Sequence, residues 1–128
     1  MGFADIIYQQ EPATSGYITS PGYPNIYPSS QNWTWSLIAD SNHTIIALLY
    51  KFKTSTMQCN VDSCWCNDAF QFQFTQNISS IGMDYCTPFD PAPLIYGNSR
   101  FLHIIFRSAA AVEPNSGFRL GYSLCKYY

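Results

Sequence analysis

The sequence has few charged residues of either sign. Only 11% of its 128 residues are charged, the formal net charge is −2, and the six basic residues form no cluster. Nucleic acids and anionic membranes are bound through concentrated Lys and Arg, so neither is an expected partner. The chain also lacks an apolar run near the roughly 18 residues that cross a bilayer, which argues against direct membrane insertion.

A secretory signal is also missing. The first ten residues, MGFADIIYQQ, contain no basic segment followed by an apolar one. The five cysteines, the scarcity of Lys and Glu, and the abundance of Tyr, Thr, Ser and Asn are nevertheless typical of proteins outside the cell. We therefore expect a piece of a longer precursor, with Met1 and Gly2 added for expression. It would be secreted or lie on the extracellular side of a membrane-anchored protein.

Three glycosylation sequons support an extracellular location. They begin at Asn32, Asn42 and Asn77, whereas a chain of this composition would carry roughly one such motif by chance. The sequence predicts a glycoprotein with these three asparagines as the candidate glycan sites.

No segment has the periodicity of a long amphipathic helix. Short apolar-alternating runs bounded by Gly, Pro, Asn and Ser clusters are typical instead of an all-β domain. About eight such runs predict a two-sheet antiparallel β-sandwich and a single domain over residues 1–128, with its core at about 14–124. The runs cover residues 17–19, 32–37, 44–52, 70–75, 83–86, 94–96, 100–107 and 118–124.

Alternation within these runs predicts which side chains face the core. Trp33, Trp35 and Leu37 should point inward, with Asn32 on the outer face. The run TIIALLYKF at 44–52 is almost continuously apolar, which predicts a strand buried on both faces. His103 is expected to point outward from its strand.

Catalytic and metal sites find little support in the sequence. Three cysteines, Cys59, Cys64 and Cys66, lie within eight residues. Their irregular spacing does not favour structural zinc, and the C-x-x-C motif of redox proteins is absent. No nucleophile elbow and no facing pair of acids is present. We expect no enzyme activity and no cofactor, and we favour disulfides for these thiols.

An ordered series of motifs resembles the CUB domain family. The opening motif is Gly16-x-Ile18-x-Ser20-Pro-Gly-Tyr-Pro, followed by Tyr27-Pro28, and Trp35 matches the family's strand tryptophan. The resemblance implies a jelly-roll-like β-sandwich from extracellular proteins, used for recognition or assembly as one module of a larger chain. Further matching segments are 68–72, 84–86, 106–108 and 117–122.

The family's cysteine pattern is altered in this chain. The first family disulfide is missing, and Trp33 stands where its second cysteine would be. The resemblance implies a bridge from Cys86 back to Cys66 or Cys64, with Cys59 paired to the other. We favour Cys66–Cys86 with Cys59–Cys64, although the connectivity stays open. Cys125 is then left over, and a disulfide-linked dimer through it is possible.

Calcium ligands are also depleted relative to the family. Many CUB domains hold Ca²⁺ through a tyrosine, a glutamate and two aspartates. Tyr27 and Asp68 match two of these positions, while the glutamate falls within Lys53–Thr56 and the second aspartate on Ala109. Calcium prefers six to eight oxygens with several carboxylates. We expect a degenerate site that holds no metal.

These considerations predict a calcium-independent recognition module for another extracellular protein. A carbohydrate-binding module is the alternative, because aromatics make up 17% of the chain. A structural matrix subunit crosslinked through Cys125 is a further alternative. The candidate binding residues are Trp65, Tyr23 and Phe89. Tyr17, Tyr27 and Tyr96 are also expected to be exposed, in loops or at strand ends.

Overall fold

The computed structural model describes residues 4–10, 15–78, 82–87 and 94–126. Short extended runs separated by turns form ten strands within these residues. They are β1 (Ala4–Gln10), β2 (Ser15–Thr19), β3 (Gln31–Ile38), β4 (His43–Lys53), β5 (Gln58–Cys59), β6 (Cys64–Trp65), β7 (Ala69–Gln73), β8 (Leu94–Tyr96), β9 (Phe101–Arg107) and β10 (Gly117–Lys126).

The strands form two four-stranded sheets and a short hairpin. The first sheet has the order β1-β3-β9-β7 and the second β2-β10-β4-β8, while β5 pairs with β6. The predicted all-β sandwich is therefore confirmed. Strand β1, which pairs in parallel with β3, was not predicted. The other strand pairs are antiparallel.

Aromatic side chains fill the space between the two sheets. Trp33 is buried and stacks on Phe106, with their ring centroids 5.8 Å apart. Phe118 meets Phe106 and Phe70 edge-on, at 5.1 and 5.2 Å. Trp35 packs against Phe118 at 5.9 Å. The inward alternation predicted for β3 is thus observed, and Trp33 fills the core beside Phe106.

The prediction that β4 is buried on both faces is wrong. Ile45, Ala47 and Leu49 point into the core, whereas Leu48 and Tyr50 are exposed on the outer face of the second sheet. Successive side chains of a strand point to opposite faces, and among the described residues no further layer covers this outer face. The apolar run at 44–52 therefore leaves Leu48 and Tyr50 exposed on the outer face of the second sheet.

His103 points away from the core as predicted but is buried. Its Nδ1 lies 2.7 Å from the Ser36 hydroxyl, and its Nε2 lies 2.8 Å from the Thr75 carbonyl oxygen. The chain leaving β7 covers this part of the first sheet, so an outward residue is still removed from solvent. The predicted strand at 83–86 is reduced to isolated bridges at Tyr85 and Thr87.

The described residues include no helix that is long and apolar enough to cross a membrane.

Candidate functional site

A stapled loop connects β4 to β7. Within it β5 and β6 form a hairpin, and a disulfide joins Cys59 to Cys64 across that hairpin. A second disulfide joins Cys66 to Cys86 and is buried against Ala69. This is the connectivity favoured above. The two bridges differ in environment, because Cys59 and Cys64 are exposed whereas Cys66 and Cys86 are not.

Directly after the buried bridge, Asp68 places a carboxylate in the protein interior. The residue is 0% exposed. Its Oδ2 accepts hydrogen bonds from the Tyr27 hydroxyl at 2.5 Å and from the Ser55 amide at 3.2 Å. Its Oδ1 accepts a short hydrogen bond from the Ala109 amide. Both carboxylate oxygens are therefore occupied by protein donors.

Four separate segments meet at this carboxylate. Tyr27 comes from the turn-rich connection between β2 and β3, Ser55 follows β4, Asp68 precedes β7 and Ala109 follows β9. The Ser55 hydroxyl also accepts a hydrogen bond from the Asp68 amide at 2.8 Å. Ser108 helps to fix the site, since its hydroxyl donates to the carbonyl oxygen of residue 28 at 2.7 Å. Asp68 thus connects the two sheets to each other at one end of the sandwich.

The residues present do not fit a calcium ion. The amides of Ser55 and Ala109, at or beside the two positions where relatives carry acids, donate to Asp68. Backbone N–H groups directed at a carboxylate take the place a cation would need, and only one carboxylate contributes here. The nearby Glu113 is engaged elsewhere, since its Oε2 accepts from the Thr56 amide at 3.0 Å. In the described part of the chain, no three His, Cys, Asp or Glu residues are grouped as metal ligands.

Tyr27 is a buried hydrogen-bond donor, which corrects the expectation that it is an exposed aromatic. It is 1% exposed, and its ring meets Phe106 edge-on at 4.7 Å. Burial raises the pKa of Tyr27 far above its usual value, and the hydrogen bond to the Asp68 carboxylate raises it further. A phenolate beside a buried carboxylate would be strongly disfavoured, so Tyr27 stays protonated while the domain is folded.

Alkaline pH is expected to destabilise the domain through Tyr27. In the unfolded chain this phenol ionises near its ordinary pKa of 10.0, whereas in the folded state its pKa is higher. The contribution of Tyr27 to the free energy of unfolding is therefore complete below pH 10. Above pH 10 it falls, by up to about 1.4 kcal/mol per pH unit. We therefore measure the free energy of unfolding in urea at pH 9 and at pH 11. It should fall less between these two pH values for Tyr27→Phe than for the parent. Both proteins should carry Cys125→Ser to prevent thiol exchange, and equal losses would contradict the assignment.

The candidate binding aromatics lie in different places. Trp65 is exposed in the stapled loop. Tyr23 is half-buried, with the Lys51 ammonium 5.4 Å from its ring centroid. Phe89 lies outside the described residues. Sequence reasoning missed Tyr50, which is 60% exposed. Applying a period of two to the 44–52 run would have placed it outside the sandwich.

Two of the three sequons and the unpaired cysteine lie away from the Asp68 site, whereas the sequon at Asn32 lies close to it. Asn42 and Asn77 are exposed, whereas Asn32 is half-buried in a groove on the first sheet that Ala69 and Arg107 also line. Cys125 is free and half-buried at the opposite end of β4 from the stapled loop. Glycosylation and a dimer through Cys125 stay predictions.

Comparison with known proteins places this architecture in a family. The sequence profile described as CUB domain matches residues 9–122. The chain belongs to the CUB domain family. Human cubilin is 33% identical over 110 residues, which cover 85% of this chain and 3% of cubilin. Human neuropilin-2 is 32% identical over 114 residues, covering 88% of this chain and 12% of neuropilin-2.

A zinc metalloproteinase, nas-39 of Caenorhabditis elegans, is also similar to this CUB domain. It is 30% identical over 115 residues, covering 88% of this chain and 12% of the metalloproteinase. The chain therefore spans only a small part of each of these relatives. CUB domains are binding modules of extracellular proteins. In an enzyme such as nas-39, the CUB domain is separate from the catalytic domain.

Solved structures share the fold of this CUB domain. The full extracellular region of zebrafish Gpr126/Adgrg6 superposes with a TM-score of 0.72 at 17% identity, covering 98% of this chain and 15% of that one. The MASP-1 CUB2 domain bound to Ca²⁺ gives a TM-score of 0.64 at 22% identity, covering 92% of this chain and 96% of that domain. The same sandwich is thus known with calcium bound.

Proposed function

We propose that this CUB domain is a calcium-independent recognition module, which binds another extracellular protein as part of a larger chain. The observation that carries the proposal is the occupied Asp68 carboxylate. Its two oxygens accept hydrogen bonds from three protein donors, which come from three other segments and join them without a cation. The end of the sandwich can therefore keep its shape at any calcium concentration.

The family membership supports recognition as the role. Human cubilin and human neuropilin-2 contain similar domains as small parts of long chains. The buried polar side chains of the site, Asp68 and Tyr27, are committed to each other rather than facing a cleft. They are thus unsuited to acid–base chemistry on a substrate.

The proposal is tested by capturing protein partners from a panel of purified extracellular proteins, in calcium and in EDTA. We expect the same partner to be retained to the same extent in both conditions. The melting temperature of the domain should also be unchanged by EDTA, with the calcium-bound MASP-1 CUB2 domain as the comparison expected to respond. Loss of capture in EDTA would contradict calcium independence.

Glycan recognition is a second candidate, favoured by one observation. Trp65 is exposed between two disulfide-bonded cysteines, so its ring is presented at little cost in conformational entropy. Binding on a glycan array that disappears with Trp65→Ala would support this candidate. Silence on the array together with capture of a protein partner would support protein recognition.

A further inference from the structure

The outer face of the second sheet carries an exposed tyrosine–arginine surface. We define it by Tyr17 on β2, Leu48 and Tyr50 on β4, and Arg119 and Gly121 on β10. Tyr17 and Tyr50 are each 60% exposed, and Leu48 is 36% exposed. Large apolar side chains grouped on an outer sheet face commonly mark an interaction site.

Gly121 lets the two tyrosine rings lie on the sheet itself. The ring centroids are 6.2 Å apart, with an interplanar angle of 48°. A Cβ atom on Gly121 would lie 2.7 Å from the Cε2 of Tyr50 and 3.3 Å from the Cε1 of Tyr17. The rings therefore border a groove of about 170 Å³, which Ile46 and Leu48 also line.

A β-bulge brings the arginine to the tyrosines. Arg119 pairs with Lys51, but Leu120 pairs with Leu49, so Tyr50 is the extra residue on β4. Bulges redirect side chains on a sheet surface. The Arg119 guanidinium lies 4.3 Å from the ring centroid of Tyr17 and 5.8 Å from that of Tyr50. The bulge thus assembles a cation with two aromatic rings.

The charge of this face is positive although the chain is acidic. Lys51 and Arg119 are both exposed, and no Asp or Glu occurs in β2, β4, β8 or β10. The formal net charge of the whole chain is −2, so its acids belong to segments outside these four strands. An approaching acidic group would therefore meet two exposed cations beside an apolar groove, on strands that themselves carry no acid.

We infer that the tyrosine–arginine surface binds an acidic segment of a partner protein, with an apolar side chain in the groove and carboxylates beside Arg119 and Lys51. This inference rests on the proposed recognition function and specifies its partner. Tyr and Arg, together with Trp, are the residue types enriched at the energetic centre of protein interfaces. The exposed cations supply the charge complementarity that favours an acidic partner.

The geometry favours a peptide over a sugar. Arg119 lies over the Tyr17 ring, and the two rings are tilted, so they do not offer one flat platform for a pyranose. The groove is also lined by the aliphatic side chains of Ile46 and Leu48, which suit a Leu or Phe side chain better than a hydroxylated ring.

The test uses two labelled hexapeptides with blocked termini, Glu-Glu-Leu-Phe-Glu-Glu and Gln-Gln-Leu-Phe-Gln-Gln. Fluorescence polarisation should show the acidic peptide binding more tightly, with an affinity that falls as salt increases. Arg119→Glu should weaken its binding by about tenfold or more, and Tyr50→Ala by about fivefold or more. Gly121→Ala, which crowds the two rings without removing a charge, should also weaken it.

Matched controls separate the surface from general effects. Arg100 is likewise an exposed arginine over an aromatic ring, 4.6 Å from the ring centroid of Phe101, but it lies outside the surface. Arg100→Glu makes the same charge change and should leave peptide binding intact. Trp65→Ala removes an exposed aromatic elsewhere and should do the same. Equal weakening by Arg100→Glu would show a nonspecific charge effect and overturn the inference.

Other outcomes would also overturn the inference. Equal affinity for the two hexapeptides would do so, as would binding of heparin but of neither peptide. If Arg119→Glu captures an extracellular protein partner as well as the parent does, recognition stands and this surface is wrong. If the parent captures no protein, the proposed function fails, whereas selective binding of the acidic hexapeptide would still support the surface.

Discussion

Replacing Asp68 with Ala is expected to lower the free energy of unfolding by about 3–5 kcal/mol. The substitution leaves the Tyr27 hydroxyl and the amides of Ser55 and Ala109 without their acceptor in a buried site. Each unsatisfied buried donor costs about 1–3 kcal/mol, and water that enters the space would recover part of this cost. Urea unfolding followed by tryptophan fluorescence would measure the change.

Two variants show whether the loss comes from the donors. Tyr27→Phe removes one donor and keeps the acceptor, so we expect a loss of only about 1 kcal/mol. Asp68→Asn keeps the shape but turns an NH₂ group toward one of the donors, so its loss should lie between those of the other two. This account would be contradicted if Asp68→Ala lowered the free energy of unfolding by less than Tyr27→Phe does. A calcium-dependent unfolding midpoint in the parent would also contradict it.

The Asp68 site could be predicted only in part. The resemblance to the family singled out Tyr27 and Asp68 and showed that two acids are missing. It did not show that Tyr27 donates directly to Asp68, because in a calcium site both residues would face the ion. The amides of Ser55 and Ala109 could not be predicted, since every residue except proline carries a backbone N–H and the sequence does not mark which ones converge.

The fold was predictable where alternation was clear and uncertain where burial depended on distant segments. Strand β3 alternates large apolar and small polar residues, and the inward placement of its two tryptophans follows directly. Strand β4 is apolar on both faces, so its sequence could not show that no other element covers Leu48 and Tyr50. His103 gave the opposite difficulty, because the segment that buries it lies 28 residues earlier, at Thr75.

The two candidate surfaces lie on different parts of the domain and follow from different signals. The sequence indicates Trp65 as a candidate binding residue because cysteines flank it. Tyr50 and Arg119 do not, since they belong to ordinary strand patterns 69 residues apart and meet only through the pairing of β4 with β10. An interaction face built across strands is therefore visible only once the register is known.

Removing the buried disulfide with Cys66→Ala and Cys86→Ala is expected to lower the free energy of unfolding by about 3–5 kcal/mol. The bridge closes a sequence separation of 20 residues, which alone accounts for about 3 kcal/mol. Both cysteines are buried, so the smaller side chains also leave a cavity beside Ala69. Urea unfolding in a Cys125→Ser background would measure the loss without thiol exchange.

The matched control is Cys59→Ser with Cys64→Ser. That bridge spans a separation of only 5 residues and lies on the surface, so its loss should cost about 2 kcal/mol or less. If the buried bridge also holds Asp68, two residues beyond Cys66, amide hydrogen exchange at Ser55 and Ala109 should speed up in the buried double variant alone. Unchanged exchange there would mean that the hydrogen bonds hold this end of the sandwich by themselves. Faster exchange would mean that the disulfide and the Asp68 carboxylate together hold this end of the sandwich.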